Sequence, residues 1–75
     1  MTPGPRYLYR GLEGADVRTI QVQLNLRTGA RLAADGIFGP DTEAAVRTAQ
    51  RRCQLPATGR VDTTTRQALY IYRRW

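Results

Sequence analysis

Apolar and polar positions alternate along this chain at helical spacing, interrupted by two turn-rich stretches. Val17, Ile20 and Leu24 lie three and four residues apart, which puts them on one helical face and predicts a first helix over about 15–26. Asp16 falls in its first turn, where a carboxylate complements the helix dipole. The only stop signal is Thr28-Gly29. In the loop that follows, Asp35-Gly36 favours a tight turn with a positive φ at Gly36. Gly39-Pro40 then reads as a helix start, glycine at the cap and proline at the first helical position. A second helix is predicted over about 40–53, with Thr42, Ala45, Val46, Ala49 and Cys53 on its inner face. Leu55 to Gly59 forms a second loop, and Asp62 is a natural N-cap for a third helix over about 63–73 carrying Ala68, Leu69 and Tyr72 inward. Pro3, Gly4 and Pro5 make residues 1–10 an extended arm, with Leu8 as its candidate core contact. The pattern predicts an all-α fold: three short helices, two structured loops, and at most minor strand pairing. Residues 8–72 form a single domain in this reading, and 70–75 a C-terminal tail rich in arginine and aromatics.

The two loop-helix units resemble each other. Residues 36–46 (GIFGPDTEAAV) and 59–69 (GRVDTTTRQAL) both fit Gly-x-Φ-x-x-x-Thr-x-x-Ala-Φ, at an offset of 23 residues. Each position has a physical task. Gly36 and Gly59 take a positive φ that other residues resist. Phe38 and Val61 plug the core beneath the turn, and Thr42 and Thr65 place a hydroxyl in the first helical turn, where backbone groups are free. Ala45 and Ala68 allow close approach, and Val46 and Leu69 fill the core. Two copies make a pseudo-repeat inside one domain and not a solenoid.

Composition narrows the chemistry. A chain of 75 residues, 41% of them hydrophobic, supports one small core. It has no histidine and a single cysteine, Cys53. Ser-His-Asp and Cys-His catalysis, histidine-ligated metals and an intrachain disulfide are therefore excluded, and no cofactor is implied. Cys53 reads as a small buried hydrophobe. Asp35, Asp41 and Glu43 all have turn or capping explanations, so paired-carboxylate catalysis is not indicated and the chain reads as non-enzymatic. No apolar run is long enough to span a membrane, and no secretory signal is visible. The net charge is +6, and all 12 basic residues are arginine. Residues 1–43 carry five arginines against five carboxylates, whereas 44–75 carry seven arginines against Asp62 alone. The field is one-sided and suits an anionic partner or a solvated face. Arg47, Arg51 and Arg52 follow one side of the second helix and can reach carboxylates or phosphates.

The segment Asp35-Gly36-Ile37-Phe38-Gly39-Pro40-Asp41-Thr42-Glu43-Ala44-Ala45-Val46 is the most specific in the chain. Together with Leu8, Gly11, Gly14, Val17, Ile20-Gln21 and Leu24 before it, and Gln50, Leu55, Gly59, Val61, Thr65 and Ala68-Leu69 after it, it resembles the small peptidoglycan-binding domain family. These are three-helix modules found on bacterial cell-wall hydrolases and phage lysins. The resemblance runs from about Leu8 to Leu69, with departures: Ala49 where the family usually has Phe, Gln54 where it has Gly, and Arg66 where it has an aromatic. The usual Gly-aromatic pair between the first two helices is also missing, and an aromatic lost near a ligand groove would weaken sugar stacking.

The resemblance implies a non-catalytic module that attaches to peptidoglycan, through the glycan strand or stem peptide, in a shallow groove beside the second and third helices. It implies a place at the cell wall or periplasm, or in a phage virion. The candidate ligand contacts are Asp35, Phe38, Thr42, Arg47, Gln50, Arg51 and Arg66, although Phe38 also reads as a core plug. Gly36, Gly39, Gly59 and Leu69 are structural. The alternative is an adaptor that reuses the fold within a phage particle, tail or wall-associated assembly. It would dock protein partners through Tyr70, Tyr72, Arg73, Arg74 and Trp75. A chain that starts at Met1 and stops at Trp75 with no enzyme attached raises the expectation of this alternative, with wall binding still the leading one. The charge permits nucleic acid, but no recognised motif supports it.

Overall fold

A computed structural model describes residues 6–71. Three helices follow one another: α1 (Ala15–Thr28), α2 (Pro40–Arg52) and α3 (Thr63–Ile71). The expected all-α, three-helix fold is what forms. α1 packs against both α2 and α3, which encloses Leu8, Val17, Ile20, Leu24, Phe38, Ala45, Val46, Ala49, Val61 and Leu69 in one core. No helix among the described residues is long and apolar enough to cross a membrane.

α1 runs two residues past its expected end, because the stop is Gly29 in the left-handed region (φ 74°), where its N–H reaches the Asn25 carbonyl. α2 ends at Arg52 and not at Cys53. Cys53 is the half-buried C-cap, so it is not the buried inner-face residue expected of it. The Gln54 N–H donates to the Arg51 carbonyl at 3.1 Å and the Leu55 N–H to the Gln50 carbonyl at 2.8 Å, the two bonds of a Schellman closure. Gln54 occupies the left-handed position of that motif with φ 58°. α3 starts as expected: the Asp62 carboxylate accepts the Thr65 N–H at 2.8 Å. Its expected inward Tyr72 lies outside the described residues.

The segment before α1 stitches the two loop-helix units together. Leu8 pairs with Val61 and Glu13 with Ile37 in isolated antiparallel bridges. The Phe38 N–H donates to Leu12 and the Gly11 N–H to Phe38, both at 2.9 Å. Leu8 is fully buried, as expected. Arg6 fastens the same segment outside: its guanidinium donates to Asp16 at 2.8 Å and 3.1 Å and to the Glu13 carbonyl at 2.7 Å.

Candidate functional site

Each loop is folded around the side-chain amide of one buried glutamine. In the first unit the Gln21 Nε2 donates to the Ile37 carbonyl at 2.8 Å, to Thr42 Oγ1 at 3.1 Å and to Asp35 Oδ1 at 3.2 Å. Its Oε1 accepts the Gly36 N–H at 2.9 Å. In the second unit the Gln50 Nε2 donates to the Arg60 carbonyl at 2.9 Å and to Thr58 Oγ1 and Thr65 Oγ1 at 3.0 Å, and its Oε1 accepts the Gly59 N–H at 2.9 Å. The two arrangements correspond group by group. Asp35 and Thr58 also play one local role, accepting the N–H two residues on at 2.9 Å and 3.1 Å. Both glutamines are 1% exposed, and a buried primary amide is tolerated only because both its ends are bonded.

The turn glycines follow from these clamps. Gly36 has φ 79°, and a Cβ there would sit 3.0 Å from the Gly14 carbonyl oxygen. Gly59 has the same φ and lies beneath the Glu43 and Arg47 side chains. Gly39 differs from the structural role expected of it. Its φ of −102° is open to any residue, and a Cβ there would meet nothing within 4 Å.

Each unit carries a cleft beside its clamp. The first, about 140 Å³, is lined by Gln21, Leu32, Ala33, Asp35, Ile37, Gly39, Pro40, Asp41 and Thr42. The second, about 230 Å³, is lined by Leu55, Pro56, Thr58, Asp62, Thr64 and Thr65. Every residue of the second cleft lies 23 positions beyond a residue of the first. The first has the richer chemistry. Leu32, Ala33, Ile37 and Pro40 supply apolar wall, and Asp35 and Asp41 supply carboxylates. The Ile37 N–H, then the Gln21 amide, hold the Asp35 carboxyl below its usual pKa, so it is anionic at neutral pH. Asn25 sets the wall by bonding both polar groups of the Leu32 backbone, at 2.9 Å and 3.0 Å.

Of the residues expected to contact ligand, Asp35 and Thr42 meet in the first cleft. Phe38 and Gln50, each 1% exposed, are corrected to interior roles: Phe38 is in the core and Gln50 is the second clamp. Arg47 lies over the second loop, its guanidinium 3.7 Å from Glu43, and Arg51 is exposed on α2. Arg66 donates to the Arg6 carbonyl at 2.7 Å, which ties α3 to the chain before α1. The arginine that replaces the family's aromatic thus has a structural task. Tyr70 is exposed, whereas Tyr72, Arg73, Arg74 and Trp75 lie outside the described residues. Sequence reasoning missed Gln21, Leu32, Ile37 and Asp41 as cleft residues. The available signal was a glutamine on the helix before each Gly-x-Φ turn, hidden because the two glutamines precede their turns by different distances.

The peptidoglycan binding domain family model matches residues 13–69. No curated protein matches. Among solved structures, the endolysin of Burkholderia phage AP3 superposes with a TM-score of 0.86 at 38% identity, over 95% of this chain and 27% of the endolysin. A fused Zn-dependent amidase/peptidase/peptidoglycan-binding domain-containing protein from Clostridium acetobutylicum gives 0.83 at 37% identity, over 89% of this chain and 30% of that one. The SleB N-terminal domain gives 0.83 at 32% identity, over 88% of this chain and 90% of that domain. The chain therefore spans under a third of the first two proteins. With the family model covering most of its length and the same fold in these three relatives, the chain belongs to the peptidoglycan-binding domain family.

Proposed function

We propose that this chain is a non-catalytic module that holds bacterial peptidoglycan in the cleft between the Asp35–Ile37 turn and the start of α2. The observation that carries the reading is the convergence there of an ionised carboxylate, a second carboxylate, a buried hydroxyl and an apolar wall, with the turn held by the Gln21 clamp and Leu32 by Asn25. Peptidoglycan presents hydroxyl, amide and methyl groups, which such a lining can pair or cover. The absence of histidine from the sequence supports the non-catalytic part. Attachment to the wall places the module at the cell envelope of its host, or on a particle that attacks it.

The test is co-sedimentation with purified sacculi at two salt concentrations. Binding that survives raised salt is expected, because the cleft is not the arginine-rich side of the chain and screening weakens mainly exposed charge pairs. A folded chain that stays in the supernatant at micromolar concentration refutes the reading and leaves a protein partner as the alternative.

A further inference from the structure

The two clefts differ at one decisive position. The residue just before α3 is Asp62, whose carboxylate takes the Thr65 N–H at 2.8 Å. The equivalent residue at α2 is Gly39, which has no side chain to do this, and α2 has no side-chain cap. The Glu43 N–H reaches the Gly39 carbonyl at 3.0 Å, but among the described residues nothing accepts the N–H of Asp41 or Thr42. Glycine is not required at 39 by conformation or by space, since φ is ordinary and a Cβ there is unopposed. A second observation points the same way. Thr42 is 3% exposed, lines the cleft, and its oxygen accepts from Gln21. Its hydroxyl proton has no acceptor among the described residues, and a buried donor left without one is costly. Thr65 is alike in the second cleft, but there Asp62 already accepts the Thr65 N–H. Only the first cleft therefore has such a hydroxyl beside a free backbone N–H of the same threonine.

Resting on the peptidoglycan reading, we infer that the second cleft is closed by its own Asp62, and that the first is kept open by Gly39 so that a ligand carbonyl caps α2. The ligand group is a neutral secondary amide bearing a small apolar substituent. Its oxygen takes the free backbone N–H groups and the Thr42 hydroxyl, its N–H faces Asp35, and its substituent packs on Ile37 and Leu32. A carboxylate is disfavoured because Asp35 and Asp41 line the same cleft. Peptidoglycan offers such an amide in two places: the acetamido group of its sugars and the linkages of its stem peptide.

The experiment uses the whole chain, the variants Gly39→Ser and Gly39→Ala, and sacculi. Gly39→Ser supplies an uncharged cap of its own. It should melt no lower than the parent and sediment with sacculi at least about tenfold more weakly, a change of about 1.4 kcal/mol. Gly39→Ala adds a Cβ without a cap and should bind within about threefold of the parent, well short of that tenfold loss. Amide NMR of the parent chain then separates the sources: an N-acetylglucosamine tetramer, its de-N-acetylated counterpart and a free stem peptide are titrated in turn. The tetramer shifting the Asp41 and Thr42 amides identifies the acetamido group, and the stem peptide doing so identifies a peptide amide. Equal binding by Gly39→Ser, equal losses in both variants, an equal response to the de-N-acetylated sugar, or no response to any probe overturns the inference. If the parent chain binds sacculi in those cases, the wall reading stands and only the cleft assignment falls. If the parent does not bind, both fall.

Discussion

Gln54→Gly should stabilise this domain. Gln54 is the left-handed residue of the closure at the end of α2, with φ 58°, and its exposed side chain makes no hydrogen bond among the described residues. An L-residue in that conformation brings its Cβ against the following carbonyl, at roughly 1–2 kcal/mol, and glycine escapes the clash. Glycine also loses more backbone entropy on folding, by roughly 0.5–1 kcal/mol. The closure bonds from Gln54 and Leu55 are backbone bonds and survive the change. The net expectation is a gain of about 0.5–1 kcal/mol, which in a domain of this size raises Tm by roughly 2–8 °C. Thermal unfolding by circular dichroism, with a urea titration at fixed temperature, reads both quantities. Gln54→Ala is the control: it removes the side chain but keeps the Cβ, so its Tm should stay close to that of the parent. If Gln54→Gly melts no higher than the parent, or if Gln54→Ala gains as much, left-handed strain is not what Gln54 costs.

Gly36→Ala should destabilise by more than about 1 kcal/mol, because the strained φ is compounded by a Cβ 3.0 Å from an unyielding backbone carbonyl; an unchanged denaturant midpoint would contradict this. Gln21→Leu keeps bulk but strands the Gly36 N–H and the Ile37 carbonyl, and should cost about 2–4 kcal/mol. Gln50→Leu should behave alike if the two clamps are equivalent, and hydrogen exchange at Gly36 and Gly59 would show which loop opened. Asp16, bonded to Arg6, and Asp35, bonded to the Ile37 N–H, both have folded pKa values below the ordinary 3.8. Their contribution is therefore complete above that value and lost as pH falls through the lower folded ones. Asp35→Asn, whose Oδ1 can still accept both bonds but carries no charge, should lose that contribution at neutral pH and match the parent in acid; equal melting of the two chains at neutral pH and in acid would contradict this.

The helices were legible because their causes are local. Apolar spacing at Val17, Ile20 and Leu24, the Gly39-Pro40 start and the Asp62 cap each act within a turn or two, so residue order carries them. The matched turns at Gly36 and Gly59 were legible for the same reason, as a constant offset. Gly39 was misjudged through the same local logic, since a glycine beside a helix start looks like a conformational need until its φ is known. The clamps were beyond that reading. Gln21 reaches Asp35 across 14 residues and Gln50 reaches Thr58 across 8, so no single period relates them. Spacing alone sets Gln21 four residues after Val17 and Gln50 four after Val46, on the inner faces, but it does not say what a buried amide there will bond. That is decided only when α1 and α2 pack and leave each glutamine 1% exposed against a loop whose backbone groups need partners. The first cleft was set at the same stage, by side chains from α1, the loop and α2 that only tertiary packing brings to one place. Whether Gly39 leaves α2 uncapped or Asp62 closes α3 became a meaningful contrast only once the two clefts stood side by side.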